Sequence, residues 1–231
     1  MDVLPREANT AVANMAANYL LLEHYPQPTH IRFRPFAWSE LAYTFGVSQK
    51  WEKYRSVVPA HVPLIRRCTG GGLVSHLDDW TFALAIPPEH ELFKADALES
   101  YAAVHQALMT SLLAQKMPVK LVPLPQGERV FQAPDHCAHR AEPHDVVLVE
   151  DGRKVAGASQ KRSRKGLLIE GYISRPLLPD CDWLRFEKDF AEELGKVLKS
   201  KPVKVPYPIY DQSDHEGTWA KFNSASWNQR L

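Results

Sequence analysis

Apolar residues recur along this chain at two different periods, and the periods divide it into elements. Over residues 9–24 the positions Ala13, Ala16, Ala17, Leu20 and Leu21 return every three or four residues, which predicts an amphipathic helix. Pro26 and Pro28 end it. Over 31–38, Ile31, Phe33 and Pro35 alternate with Arg32 and Arg34 and predict a strand. Pro35 offers no N–H to a ladder and places that strand at an edge or an end. A short apolar piece covers 41–46, and 62–66 and 80–86 read as strands flanking a glycine-rich segment. The clearest helix spans 95–116, with Leu98, Tyr101, Ala102, His105, Leu108, Met109 and Leu112 on one face. Residues 123–134 read as loop. The β-branched run 146–150 meets Asp151-Gly152, a hairpin turn, and continues as strand through Lys154, Val155 and Ala156. A strand over 167–173 and a charged helix over 186–199 follow, and then a polar tail over 201–231 that carries Pro and Trp. This order predicts an α+β fold around a mixed or antiparallel sheet, without the rhythm of a doubly wound one.

Composition narrows the functional classes. A chain of 231 residues, 45% apolar, fits one large domain with a sizeable core. The net charge of +1 supplies no global field, so neither nucleic acid nor a membrane is expected as a partner. Cys68, Cys137 and Cys181 form no CxxC, which predicts neither a disulfide framework nor a metal site. A reducing, cytoplasmic setting follows. Asp2 and Glu7 interrupt the N-terminus and predict no signal peptide, and no apolar run approaches the ~18 residues of a bilayer span.

Two segments stand out chemically. In Arg66-Arg67-Cys68-Thr69-Gly70-Gly71-Gly72-Leu73-Val74-Ser75-His76, the three glycines let a ligand approach the backbone amides without Cβ obstruction. The two arginines can offer planar forks to phosphate or carbonyl oxygen. A wide hairpin with solvated arginines is the plain alternative. The spacing matches neither a Walker loop nor a dinucleotide fingerprint. In Asp151-Gly152-Arg153-Lys154-Val155-Ala156-Gly157-Ala158-Ser159-Gln160, Gly157 and Ala158 leave room around Lys154. That lysine either faces a pocket or is solvated. Arg153, Lys161, Arg162, Arg164 and Lys165 make the surroundings basic, as a solvated face or a docking patch for an acidic partner.

Together the two motifs resemble the biotinyl/lipoyl protein ligase catalytic domain, in the lipoate-protein ligase A and cysteine-dependent octanoyltransferase branch. That branch shows Arg-Arg-x-Ser/Thr-Gly-Gly-Gly-x-Val-x-His, matched from Arg66 to His76, and Gly-Arg/Lys-Lys-Val/Ile-x-Gly-Ser/Ala-Ala/Ser-Gln-x-Arg, matched from Gly152 to Arg162. Weaker agreement covers 14–23, 46–49 and 145–149. The resemblance implies one catalytic domain over 1–231, with a core at about 9–200. Its fold would be like that of class II aminoacyl-tRNA synthetases and biotinyl protein ligases. It also implies that Arg66, Arg67, Thr69, Gly70, Gly71, Gly72, Val74, His76, Gly157 and Ala158 bind substrate, while Lys154 contacts the acyl carbonyl. Two departures stand out: Leu77-Asp78-Asp79-Trp80 where the family has Asp-x-Gly-Asn, and Glu170-Gly171 where a His-Gly pair is usual.

The resembling enzymes divide into octanoyltransferases, which pass the acyl group through a cysteine thioester, and ATP-dependent ligases. Cys137 lies 17 residues before Lys154, close to the spacing of the transferase nucleophile, and His136, His139 and Arg140 can favour its thiolate. The expected reaction is octanoyl transfer from acyl carrier protein to a lysine of a lipoyl domain or a glycine-cleavage H-type protein, without a cofactor. The acyl chain is expected beside Leu73, Val74 and Val155, and 161–165 as a carrier-protein docking surface. A lipoate–protein ligase using ATP and Mg, without an accessory domain, is the first alternative; a non-catalytic acyl- or lipoyl-domain-binding protein is the second.

Overall fold

The computed structural model describes residues 1–124 and 141–230. The chain begins with β1 (Asp2–Val3), β2 (Glu7–Asn9), α1 (Ala11–Glu23), β3 (Arg32–Trp38), β4 (Tyr43–Phe45), α2 (Trp51–Arg55), β5 (Leu64–Arg66) and β6 (Val74–Ser75). It continues through β7 (Asp79–Ile86), α3 (Glu91–Lys94), α4 (Ala97–Leu113), β8 (Val119–Leu121), β9 (Val146–Leu148), β10 (Lys154–Ser163) and β11 (Gly166–Ser174). It closes with α5 (Trp183–Val197), β12 (Val203–Lys204), α6 (Gln212–Asn223) and α7 (Ala225–Asn228). Among the described residues no helix is long and apolar enough to cross a membrane.

The large mixed sheet runs β12-β1-β3-β7-β11-β10-β9-β8, with β2 also paired to β3; a small second sheet runs β5-β4-β6. Strand alternation puts a different core on each face of the large sheet. Trp80, Phe82, Leu84 and Ile86 of β7 point to α4 and α5, where Leu108, Phe186 and Phe190 complete one core. Ala83 and Ala85 point the other way, with Leu168, to α1 and Phe222 of α6. The α1 side is therefore lined by small sheet residues.

Helix α4 starts at a full capping box: Asp96 accepts from Glu99 N, and the Glu99 carboxylate accepts from Asp96 N. Its buried face is rotated from the expected one and consists of Ser100, Val104, His105, Ala107, Leu108, Ser111 and Leu112. In α1 the inward face includes Asn14 and Asn18 as well as apolar residues, because Arg34 of β3 lies beneath them.

Strand β3 corrects the edge placement drawn from Pro35. It is interior, flanked by β7 on one side and by β1 and β2 on the other. Proline fits because β1 pairs at Arg32 and Phe33 and β2 only from Phe36 onward, so the missing N–H falls where the neighbouring chain breaks. In the segment 201–230, β12 extends the large sheet, and Phe222 is fully buried in the second core.

Phe190 makes edge contacts with Phe33 and Phe82 at centroid distances of 5.5 and 5.2 Å and has no exposed surface. Phe190→Ala should lower stability by about 3–5 kcal/mol through lost transfer energy and the residual cavity. Denaturant melts read this as a fall in midpoint at an unchanged slope.

Candidate active site

A pocket opens on the α1 side of the large sheet, against the small one. Met15, Phe36, Trp38 and Val74 give it apolar walls, and Gly71, His76, Lys154, Ala158, Glu170 and Tyr172 complete it with Thr44 and Arg67. The glycine segment and the lysine strand, far apart in sequence, thus face one cavity.

Strand β10 brings Lys154 in through a register shift between Lys154 and Ala156 where it pairs with β9. Bulges re-aim side chains in this way. Lys154 Nζ lies 2.7 Å from Asp145 Oδ2, with side-chain exposures of 6% and 0%. So complete a burial requires pairing, and the lysine is not a solvated hairpin residue. Asp145 also accepts from Glu142 N at 2.7 Å and from the Tyr101 hydroxyl. The same Tyr101 oxygen accepts from Ala158 N at 3.0 Å. Gly157 makes this possible, since a Cβ there would stand 2.6 Å from Lys154 Nζ.

The glycine segment is shaped from below by Arg67. Its guanidinium donates to the carbonyls of Gly70 and Gly72 at 2.8 and 3.0 Å and to Thr44 Oγ1 at 2.7 Å. Gly71 therefore turns toward the cavity while its neighbours turn their carbonyls to the arginine. Gly46 packs directly beneath, where a Cβ would sit 2.0 Å from the Gly71 carbonyl oxygen. Thr69 is fully buried and outside the cavity wall, donating to Glu170 Oε2 at 2.6 Å and accepting from Ser159 Oγ at 2.8 Å.

His76 is fixed on three sides. Its Nδ1 lies 2.6 Å from Asp79 Oδ2, its Nε2 lies 2.7 Å from Thr44 Oγ1, and Trp38 stacks on the ring at 3.8 Å. Asp79 belongs to the departing Leu77–Trp80 stretch, of which Leu77 is solvent-exposed.

Arg66 differs from the ligand-facing fork expected of it. Its guanidinium donates to the carbonyls of Val47, Gln49, Trp227, Asn228 and Arg230, and it has no exposed surface. It clamps the C-terminal helices to the back of the glycine segment, because five carbonyls converge on one planar donor set. Leu73 and Val155 likewise leave the acyl wall: Leu73 packs in the small-sheet cluster and Val155 in the α4–α5 core. Arg162 leaves the docking patch, donating to Phe93 O, Asp96 O and Ser100 Oγ.

Cys137, with His136, His139 and Arg140, lies outside the described residues. The two other cysteines are buried, and burial pushes the Cys68 thiol well up and the Cys181 thiol to about 11. Neither has thiolate character near neutrality.

Motif reading missed Met15, Phe36, Trp38, Thr44, Thr81 and Tyr172 of the pocket lining, and Asp79 behind it. Trp38 and Thr44 precede the glycine segment by over twenty residues and carry no local signature. Asp79 could have been found from its i,i+3 spacing to His76.

The model of the lipoyl protein ligase A/B catalytic domain matches residues 10–209. The chain belongs to that family. The octanoyltransferase LipM of Moorella thermoacetica is 29% identical over 164 residues, 69% of this chain and 59% of that protein. This chain therefore spans under two thirds of that relative's length. The octanoyltransferase LipM of Anoxybacillus flavithermus is 27% identical over 203 residues, 83% of this chain and 72% of that one. Among solved structures, lipoate-protein ligase A bound with ATP superposes with a TM-score of 0.76 at 15% identity, covering 99% of this chain and 97% of that one. The α+β fold is that of the lipoate-protein ligases.

Two predictions follow from the packing. Gly46→Ala should push against the glycine segment and lower stability by about 1–3 kcal/mol through overpacking, as read by urea melts. His105 of α4 is fully buried, donates from Nδ1 to His144 O at 2.7 Å and leaves Nε2 unpartnered. Burial lowers its pKa to about 4, against the attraction of Asp145 and with repulsion from Lys154 and His144. The unfolded chain then binds more protons between about pH 4 and the ordinary imidazole value near 6.5. Stability should be fully present above pH 6.5 and fall as pH drops toward 4. Urea melts across this window should show the slope, and His105→Gln should flatten it.

Proposed function

We propose that the protein transfers an octanoyl group to the acceptor lysine of a lipoyl domain. One observation carries the reading: Gly71 and Lys154 face the same cavity, which Met15, Phe36, Trp38 and Val74 line on its apolar side. Such a pocket suits an uncharged alkyl chain ending in a reactive carbonyl. The seven aliphatic carbons of an octanoyl chain would gain about 0.8 kcal/mol each on burial, enough to select chain length. The family match and the relatives named octanoyltransferase LipM support the reaction class.

The mechanism is ping-pong, with Cys137 as our proposed nucleophile. Its thiolate attacks the octanoyl thioester carbonyl of acyl carrier protein, forming a tetrahedral oxyanion. Lys154 has three N–H donors and gives one to Asp145, so it can donate another to that oxyanion. Collapse releases the carrier thiolate and leaves the acyl group on sulfur. The neutral amine of the acceptor lysine then attacks, loses a proton as the amide forms, and frees the cysteine thiolate. No cofactor takes part. Arg67, Val74, His76 and Ala158 shape the substrate pocket in this reading, and Gly157 makes room for Lys154.

The second reading is an ATP-dependent lipoate–protein ligase using Mg; the family description itself names ligases. Mass spectrometry after incubation with octanoyl–acyl carrier protein alone separates the two. The transferase acquires one octanoyl group on Cys137 and passes it to a lipoyl domain, and Lys154→Ala slows this by about 10²–10³-fold. No adduct, with lipoylation that requires ATP, would establish the ligase instead. Tight acyl binding without either turnover would mark a binding protein.

A further inference from the structure

We propose that Glu170 is a specificity-determining residue that keeps free carboxylic acids out of the acyl pocket and reserves it for uncharged acyl donors. The inference rests on the acyl-pocket reading above and goes beyond it by assigning the choice of donor to one side chain.

Glu170 stands in the wall of the cavity at 7% exposure, where the resembling enzymes usually carry histidine. Its carboxylate lies between two donors, Thr69 Oγ1 at 2.6 Å and Asn18 Nδ2 at 2.8 Å. The Asn18 amide can point only one way. Arg34 Nη1 donates to Asn18 Oδ1 at 2.7 Å, and a guanidinium cannot accept, so Nδ2 is left to face Glu170. Asn18 therefore presents a fixed donor to Oε1, while the Thr69 hydroxyl meets Oε2. Arg34 remains one amide away, also engaged by Asn14 Oδ1 and the Tyr207 hydroxyl. Among the described residues no cation forms an ion pair with Glu170.

The cations of the pocket do not offset this charge for an incoming anion. Lys154 is paired with Asp145, and Arg67 holds Thr44 and the carbonyls of Gly70 and Gly72. A free fatty carboxylate would exchange its hydration for Met15, Phe36, Trp38 and Val74, and would meet a like charge in the wall. A thioester or amide carbonyl carries no such charge and needs a single donor.

Anchoring alone does not explain the carboxylate. A glutamine of the same shape would accept from Asn18 through its oxygen and donate to Thr69 through its nitrogen, restoring both contacts. What glutamate adds is charge.

The test is calorimetric binding of octanoate and octanamide near neutral pH to the wild-type chain and to Glu170→Gln, with thermal melts as a control on folding. Wild type should bind octanamide at least about tenfold more tightly than octanoate. Glu170→Gln should hold octanamide within about twofold and bind octanoate about tenfold more tightly. A merely structural role would move both ligands together, and that outcome overturns the proposal. Equal wild-type affinities overturn it as well and decide the matter even if the variant does not fold. If wild type binds neither ligand, the acyl-pocket reading fails together with the proposal; equal binding of both defeats the proposal alone.

Discussion

The pocket depends on a constraint on charge. Lys154, Arg67, Asp145 and Glu170 are all drawn into low-dielectric surroundings, and each tolerates this only because protein groups satisfy it. The 2.7 Å contact between Lys154 and Asp145 shows this constraint directly. It holds an ammonium beside an apolar cavity while leaving that ammonium further N–H groups. Asp145 in turn takes a backbone N–H from Glu142 and the Tyr101 hydroxyl, so the lysine is oriented by helix α4 as well as by its own strand.

The architecture explains why these groups meet. Strand β7 sends its aromatic and large aliphatic residues to α4 and α5, where the main core forms. Its other face carries Ala83 and Ala85 and leaves a shallow floor under α1. The small sheet covers that floor from one side, and Arg66 ties it to the C-terminal helices. The glycine segment is thus held on three supports: Arg67 from within the segment, Gly46 beneath it and Glu170 through Thr69.

Much of this was legible in residue patterns, and the limits have physical causes. Periodicity located α1, α4, α5 and the central strands, because amphipathic spacing records which face is buried. It could not show that Asn14 and Asn18 belong to a buried face, since that depends on Arg34 arriving from another strand. Pro35 suggested an edge because a single strand cannot reveal that its neighbour is broken at that point. The glycine and lysine motifs marked two walls of the pocket. Arg66 was misplaced because adjacent arginines look alike in sequence, while strand geometry sends their side chains to opposite sides. Trp38, Thr44 and Tyr172 enter only through tertiary packing and leave no local sign.

The most direct test of the central claim is a crystal structure of the protein with a non-hydrolysable octanoyl thioester analogue. The account predicts the alkyl chain between Met15, Trp38 and Val74, with the carbonyl oxygen within hydrogen-bonding reach of Lys154 Nζ. An alkyl chain bound in any other cavity, with Lys154 still closed on Asp145 and touching no ligand, would contradict it.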